Sequence, residues 1–177
     1  MAAPAPRVVV VSSFGHHLSP VRLRDPGFAA GAYDKWRAYG QSKTANILMA
    51  AHLARLARGR LLAFSLHPGV ILDTHLGDHL DWEAEAARLS EMDRLAGYPP
   101  GWSTDLASRS VTADEGAATH VFAAFDPDIA PLNGAYFEDC RVADAWNDRV
   151  KPWATDPVEA ERLWKLSERL VGQEFSY

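Results

Sequence analysis

The sequence predicts an α/β protein with a parallel sheet of about three strands and flanking helices. Three observations carry that expectation. RVVVV at 7–11 is a β-branched run without polar alternation, as in a strand covered on both faces. LLAFSLH at 61–67 repeats the signal and stops at Pro68-Gly69. Helical periodicity fills the intervals, so strand and helix alternate, as a parallel sheet with right-handed crossovers requires.

Taken in order, the first strand at 7–11 reads as an interior strand, yet nothing before it offers a partner. One of its edges is expected to stay open, and a flat apolar edge is an aggregation hazard. A helix follows from about Tyr33 to Arg58, with Ala45, Leu48, Met49, Leu53 and Leu56 at helical spacing and Gly59 as its stop. The second strand is 61–67. Residues 74–111 are charged, carry Trp82, Tyr98, Trp102 and a Pro-Pro-Gly, and read as an excursion without a strand. Within it, EAEAARLSEMDR at 83–94 reads as a solvated helix face. Thr112 with Glu115 forms a capping box ahead of GAATHVFAAF. GAYFE at 134–138, after a Leu-Asn-Gly turn signal, is the third strand. Asp156, Pro157 and Glu159 open a last helix whose Leu163, Trp164 and Leu166 are expected to dock on the sheet, with Gly172 at its end. Trp146 and Trp153 are also expected to pack.

At 177 residues the chain has the size of one domain. Apolar residues make up 47% and charged residues 23%, as in soluble globular proteins. A net charge of −5 and the lack of a basic run disfavour nucleic acid and anionic membrane surfaces. The lone Cys140 excludes an internal disulfide and fits a reducing, cytoplasmic setting. MAAPAPRVVVVSS has too short an apolar core for a secretory leader, and LLAFSLHPGVIL is far short of a membrane span.

Chemistry concentrates in AYGQSKTANIL at 38–48. Tyr39 and Lys43 stand four apart, so a helix places them on one face, with Ser42 and Asn46 beside them. A phenol ionises near pH ~10 and is a poor base at neutrality, but an adjacent ammonium favours its anion. That makes such a tyrosine a usable general acid or base. A hydroxyl from Ser12 or Ser13, at the carboxyl end of the first strand, is placed to join them, because open α/β sheets bind ligands at that end.

Other chemistries fit less well. Gly40-Gln41-Ser42-Lys43-Thr44 fails the nucleophile elbow G-x-S-x-G at its last position. His75 and His79, with Asp78 and Asp81 nearby, have helical spacing for a metal, but Gly77 lies between them and the order is not H-E-x-x-H. No metal is expected. His16 and His17 read as surface or pocket-rim residues, His67 as structural at a strand end, and His52 as a satisfied core-edge residue.

VVVVSS, then YGQSK on the following helix, then a strand ending in HPG, together resemble the short-chain dehydrogenase/reductase family. SKTANIL, SLHPG, DEGAATHVFAA, NGAYFEDC and RLWKLSERLVG are similar to its retinol-dehydrogenase-like members, collinearly over most of residues 7–172. The resemblance implies a partial Rossmann-like, doubly wound fold and an oxidoreductase that interconverts a carbonyl and an alcohol with NAD(P). Tyr39 would be the general acid or base. Lys43 would support the ionised phenol and hydrogen-bond the nicotinamide ribose, and Ser13 would hold the substrate oxygen. Pro68, Gly69 and Val70 would line the nicotinamide pocket. Thr74 would meet its carboxamide, although some members place that threonine one residue nearer, where this chain has Asp73. Residues 74–111 would bind substrate, with Trp82 or Trp102 as a pocket wall. Members of the family often pair as homo-oligomers.

The family's first half carries T-G-x-x-x-G-x-G, which cradles the cofactor pyrophosphate at a helix N-terminus. None of the 12 glycines here has that spacing. The expectation is therefore one domain, the C-terminal half of the fold, with the N-terminal dinucleotide-binding half missing. The chain would be a shortened enzyme, a half completed by a second chain, or a non-catalytic remnant that acts through its open strand edge at 7–11.

Overall fold

The computed structural model describes residues 6–31, 33–148 and 150–177. The first residues of the stretch read as no secretory leader, 1–5, lie outside the described residues. The chain falls into two compact units, residues up to Pro68 with Ala117–Tyr177, and Gly69–Gly116.

The first unit is built on four strands in the order β1 (Arg7–Val11), β2 (Leu62–Leu66), β3 (Tyr136–Glu138) and β4 (Arg141–Val142). β1 and β2 are parallel, in register from Arg7↔Leu62 to Val11↔Leu66, and β3 continues the parallel set at Ser65↔Tyr136. These are the three expected strands. β4 is an addition, antiparallel to β3 through Phe137↔Val142. Its two-residue turn puts Asp139 at φ 48 and Cys140 at φ 55. A tight hairpin turn with positive φ at both central residues normally announces itself as Asn-Gly or Asp-Gly. Asp-Cys gives no such signal.

The sheet is covered on both faces. Along β1 and β2, Val8 and Ala63 point one way, packed with Leu53, Ala54 and Ala57 of helix α1 (Lys35–Ala57). Val9, Phe64 and Leu66 point the other way, packed with Phe137, Ile129 and Ala123, the last from α3 (Ala113–Phe125). This two-sided burial is why neither strand alternates. α1 starts where the Asp34 side chain accepts the Arg37 N–H and ends at Arg58 in the left-handed region, φ 49, one residue before the expected glycine. The short α4 (Pro152–Thr155) precedes α5 (Pro157–Val171), which Asp156 caps and Gly172 closes. α5 docks mainly on α1 and not on the sheet, because Ala160 and Leu163 meet Leu48. Trp164 reaches the cluster around Leu53. Trp146 does not pack; it is 89% exposed.

β1 is the edge of this sheet. Leu62 donates to the Pro6 carbonyl and Ser12 donates to the Leu66 carbonyl, so the even-numbered residues 6 to 12 bond toward β2. The backbone groups of Arg7, Val9 and Val11 therefore face outward, and no strand pairs there among the described residues.

In the second unit, α2 (Trp82–Leu95) begins at Asp81, whose carboxylate accepts the N–H groups of Glu83 and Ala84. One face of it is solvated, as its charge suggests, but Glu85, Leu89, Met92 and Asp93 are buried on another. The Asp93 carboxylate accepts the backbone N–H and the hydroxyl of Ser103, at 2.8 and 2.5 Å. Tyr98 stacks on Trp102 with centroids 4.1 Å apart, and the Arg109 guanidinium lies 4.2 Å from the Trp102 ring centre. Thr112 and Glu115 form the expected capping box, each side chain accepting the other's N–H. Among the described residues, no helix is long and apolar enough to cross a membrane.

Candidate active site

The site is assembled where β1 ends and α1 begins. Ser12 and Ser13 follow β1 directly and have different jobs. The Ser12 hydroxyl donates to the Lys43 carbonyl at 2.7 Å and ties the strand end to the helix. Ser13 caps the following 3₁₀ turn, Phe14–Leu18, and its Oγ accepts the Gly15 N–H at 3.0 Å. With one lone pair occupied in this way, the hydroxyl hydrogen is left to be donated elsewhere.

Gly15 is the point of convergence. A methyl group there would lie 2.6 Å from Cε1 of Tyr39, 3.0 Å from Cδ1 of Tyr39, and 3.3 Å from Oγ of Ser13. The Tyr39 ring and the Ser13 hydroxyl therefore both crowd the same side of Gly15, where only glycine fits. Gly40 works in the same way one residue along the helix. A methyl group there would lie 2.7 Å from the Ser19 nitrogen and 2.9 Å from the Leu18 Cβ, so the helix rests directly on the 3₁₀ turn. The Lys43 ammonium is 5.5 Å from the Tyr39 ring centre and 3.5 Å from the Val11 carbonyl. Asn46 donates to that same carbonyl at 2.9 Å, and Ser42 bonds back to the Tyr39 carbonyl at 2.7 Å.

Behind this face lies a buried polar cluster that the sequence did not announce. His16 and His17 are 1% and 4% exposed, not rim residues. His17 pairs its Nδ1 with the Phe14 carbonyl. His16 packs edge-on against Tyr136, with ring centres 5.5 Å apart, and burial pushes its pKa down to about 4. His67, just past β2, is also pushed down to about 4, by burial and then by His16. Its Nδ1 is buried without a hydrogen-bond partner among the described residues. The Tyr136 hydroxyl donates to Glu138 at 2.8 Å. Burial raises the Glu138 carboxyl to about 7, with Asp148 and Asp139 adding to the rise and the Tyr136 bond opposing it.

The remaining expected residues divide between the units. Pro68 closes the first unit. In the second, Gly69 sits at φ 89, and a methyl group there would lie 2.5 Å from a Val111 methyl. Val70 bridges to Ser110 in parallel, and its carbonyl accepts the Val111 N–H at 2.8 Å. Thr74 is exposed and donates to the Ile71 carbonyl at 3.1 Å. His75 pairs with Asp78 at 2.6 Å in the open. No group of three or more His, Cys, Asp or Glu side chains able to hold a metal occurs among the described residues.

Comparison with known proteins bears on this geometry. No family model matches the chain. It is 38% identical over 169 residues to a protein of Streptomyces lividans named "Probable oxidoreductase", matching 92% of this chain and 54% of that protein. It is 35% identical over 172 residues to the short-chain dehydrogenase/reductase prx1 of Penicillium rubens, matching 93% of this chain and 46% of that one. This chain resembles the C-terminal half of a short-chain dehydrogenase/reductase. Retinol dehydrogenase 12 of Homo sapiens extends the likeness, at 35% identity over 97% of this chain and 47% of that protein. The chain thus spans about half the length of these relatives. A crystal structure from Mycobacterium Paratuberculosis shares the fold, with a TM-score of 0.59 and 24% identity over 98% of this chain and 53% of that one.

Of the residues singled out from sequence, Ser13 and Tyr39 meet at Gly15, with Lys43 on the next turn of the helix. Gly15, Gly40, Tyr136 and Glu138 were missed, and His16 was read as a surface or pocket-rim residue although it is buried. The glycines did leave a trace, since Gly40 inside a helix sacrifices propensity and such a sacrifice signals close approach.

Proposed function

We propose that Ser13, Tyr39 and Lys43 form the reacting centre of an NAD(P)-dependent oxidoreductase that interconverts a carbonyl and an alcohol. The observation that supports it is the convergence of the Tyr39 ring and the Ser13 hydroxyl on Gly15. In the reducing direction the Ser13 hydroxyl donates a hydrogen bond to the carbonyl oxygen and stabilises charge as it develops. Tyr39 gives its phenolic proton to that oxygen, and Lys43 steadies the resulting phenolate. In the oxidising direction the phenolate takes the alcohol proton. The nicotinamide, when bound, supplies or accepts the hydride.

Lys43 and the Pro68-Gly69-Val70 turn, with Thr74, are the residues that would hold the nicotinamide and its ribose. At Gly69 the positive φ and the contact with Val111 leave room for no side chain. The glycines here do not supply a pyrophosphate loop, so this chain's residues fit one end of the cofactor. Residues 74–111 are proposed as the substrate-binding excursion within a single domain, and a cytoplasmic setting is proposed with it, in keeping with the lone Cys140.

The test joins this chain to the N-terminal half of the Streptomyces lividans relative and measures NADPH- and NADH-dependent reduction of aldehydes. Turnover is expected, and Tyr39→Phe should lower it by about 10²- to 10⁴-fold without loss of fold. Turnover unchanged in Tyr39→Phe would sink the assignment. For the chain alone, nicotinamide fluorescence titrated to millimolar cofactor measures whether one end of the cofactor suffices.

A second reading, a non-catalytic protein that pairs through the β1 edge, is favoured by one observation. The outward backbone of Arg7, Val9 and Val11 is not paired by any described strand.

A further inference from the structure

The 3₁₀ turn that carries Ser13 is short and has no regular ladder, so something must hold it against Tyr39. His16 makes several long-range bonds from that turn. Its Nδ1 lies 2.9 Å from the Ser13 carbonyl, and its Nε2 lies 3.3 Å from the Lys151 backbone nitrogen. A carbonyl can only accept and a backbone N–H can only donate, so the partners fix the tautomer. The imidazole is neutral, with its proton on Nδ1 donated to Ser13 and its Nε2 accepting from Lys151. The His16 carbonyl accepts the Thr44 hydroxyl at 3.0 Å and the Trp153 indole N–H at 3.2 Å. Thr44 is the neighbour of Lys43 on α1. One residue thus joins the Ser13 turn, the helix of Tyr39 and Lys43, and the 151–153 segment. The ring edge rests on Tyr136 of β3.

We propose that His16 is a positioning residue: its Nδ1–H bond to the Ser13 carbonyl, braced by the Lys151 N–H, holds the Ser13 hydroxyl and Gly15 against the Tyr39 ring. The inference rests on the reading of Ser13 and Tyr39 as the reacting pair. The two bonds can be separated chemically. In His16→Asn the side-chain amide N–H overlies Nδ1 and keeps the bond to Ser13. In His16→Gln the amide oxygen overlies Nε2 and keeps the bond to Lys151.

The test has two parts. Long-range ¹⁵N–¹H spectra of the chain at pH 7 should show a protonated Nδ1 and a bare Nε2 for His16. An Nε2-protonated or doubly protonated ring would overturn the proposal, and this reading needs no variant and no cofactor. In the joined enzyme described above, His16→Gln should lower kcat by about tenfold, the loss expected for one hydrogen bond, with KM nearly unchanged. His16→Asn should recover most of kcat. Equal losses in the two variants, with folding intact by circular dichroism, would reduce His16 to a packing residue and reject the proposal. Absence of turnover in the unsubstituted joined enzyme would overturn the functional reading, while the imidazole spectra still decide the tautomer.

Discussion

At Gly40 two effects of known size oppose each other. Glycine inside a helix costs about 1 kcal/mol relative to alanine. An alanine methyl here, however, would sit 2.7 Å from the Ser19 backbone nitrogen, which cannot step aside as a side chain can. Forcing extra volume into such a contact costs about 1–3 kcal/mol. Gly40→Ala is therefore expected to lower the urea midpoint at constant m value, and a raised midpoint would deny the close approach. The same scale shows why some of the site was legible and some was not. Tyr39 and Lys43 declare themselves by spacing within one helix, and Ser13 by its place after a strand. His16 does not, because its bond to Lys151 spans 135 residues and its bond to Trp153 spans 137. No local pattern encodes such a partner, and an adjacent His-His pair in a loop reads as surface.

Elements were legible where their pattern was self-contained. β1, α1, β2 and α5 each carry periodicity, a cap or a stop within their own residues, and each stands within two or three residues of its expected limits. β4 carries only two residues and an Asp-Cys turn, and α2 hides its buried Asp93 and Glu85 among exposed charges. The capping box at Thr112 gives a direct check. Thr112→Ala removes the acceptor for the Glu115 N–H and should cost about 1 kcal/mol, read in the thermal or urea midpoint. β1 offers a sharper test. Val9 directs its N–H outward and Val10 directs its N–H to β2. If a partner strand adds at the edge, Val9→Pro should dissociate the assembly, measured by sedimentation, while leaving the fold in place. Val10→Pro should unfold the sheet. An assembly that survives Val9→Pro would rule out edge pairing.

For the molecule as a whole, acid and base pull on stability in opposite senses. His16 and His67 titrate near 4 when folded against about 6.5 when unfolded, so between those values the unfolded state binds more protons. Their contribution is fully present above about pH 6.5 and is lost as pH falls toward 4, by at most ~3 kcal/mol each. Glu138 titrates near 7 when folded against about 4.5 when unfolded, so there the folded state binds more protons. Its contribution is present below pH 4.5 and is lost as pH rises through 7. Across the overlap the terms partly cancel, with two histidines against one carboxyl. Thermal midpoints followed from pH 4.5 to 8 should fall on the acid side. Glu138→Gln should steepen that fall and raise the midpoint above pH 7, and an unchanged profile would contradict the buried, proton-holding carboxyl.

The open margin of β1 also sets a limit on growth. Of its three outward-facing residues, Val11 has its carbonyl already taken by Asn46 and approached by Lys43. Among the described residues two open teeth remain in a comb of five residues, shorter than the six- or seven-residue segments that mark cross-β stacks. If an incoming chain docks there, the docked strand should find too little template to recruit a third copy. Concentrated solutions should yield finite complexes and not fibres.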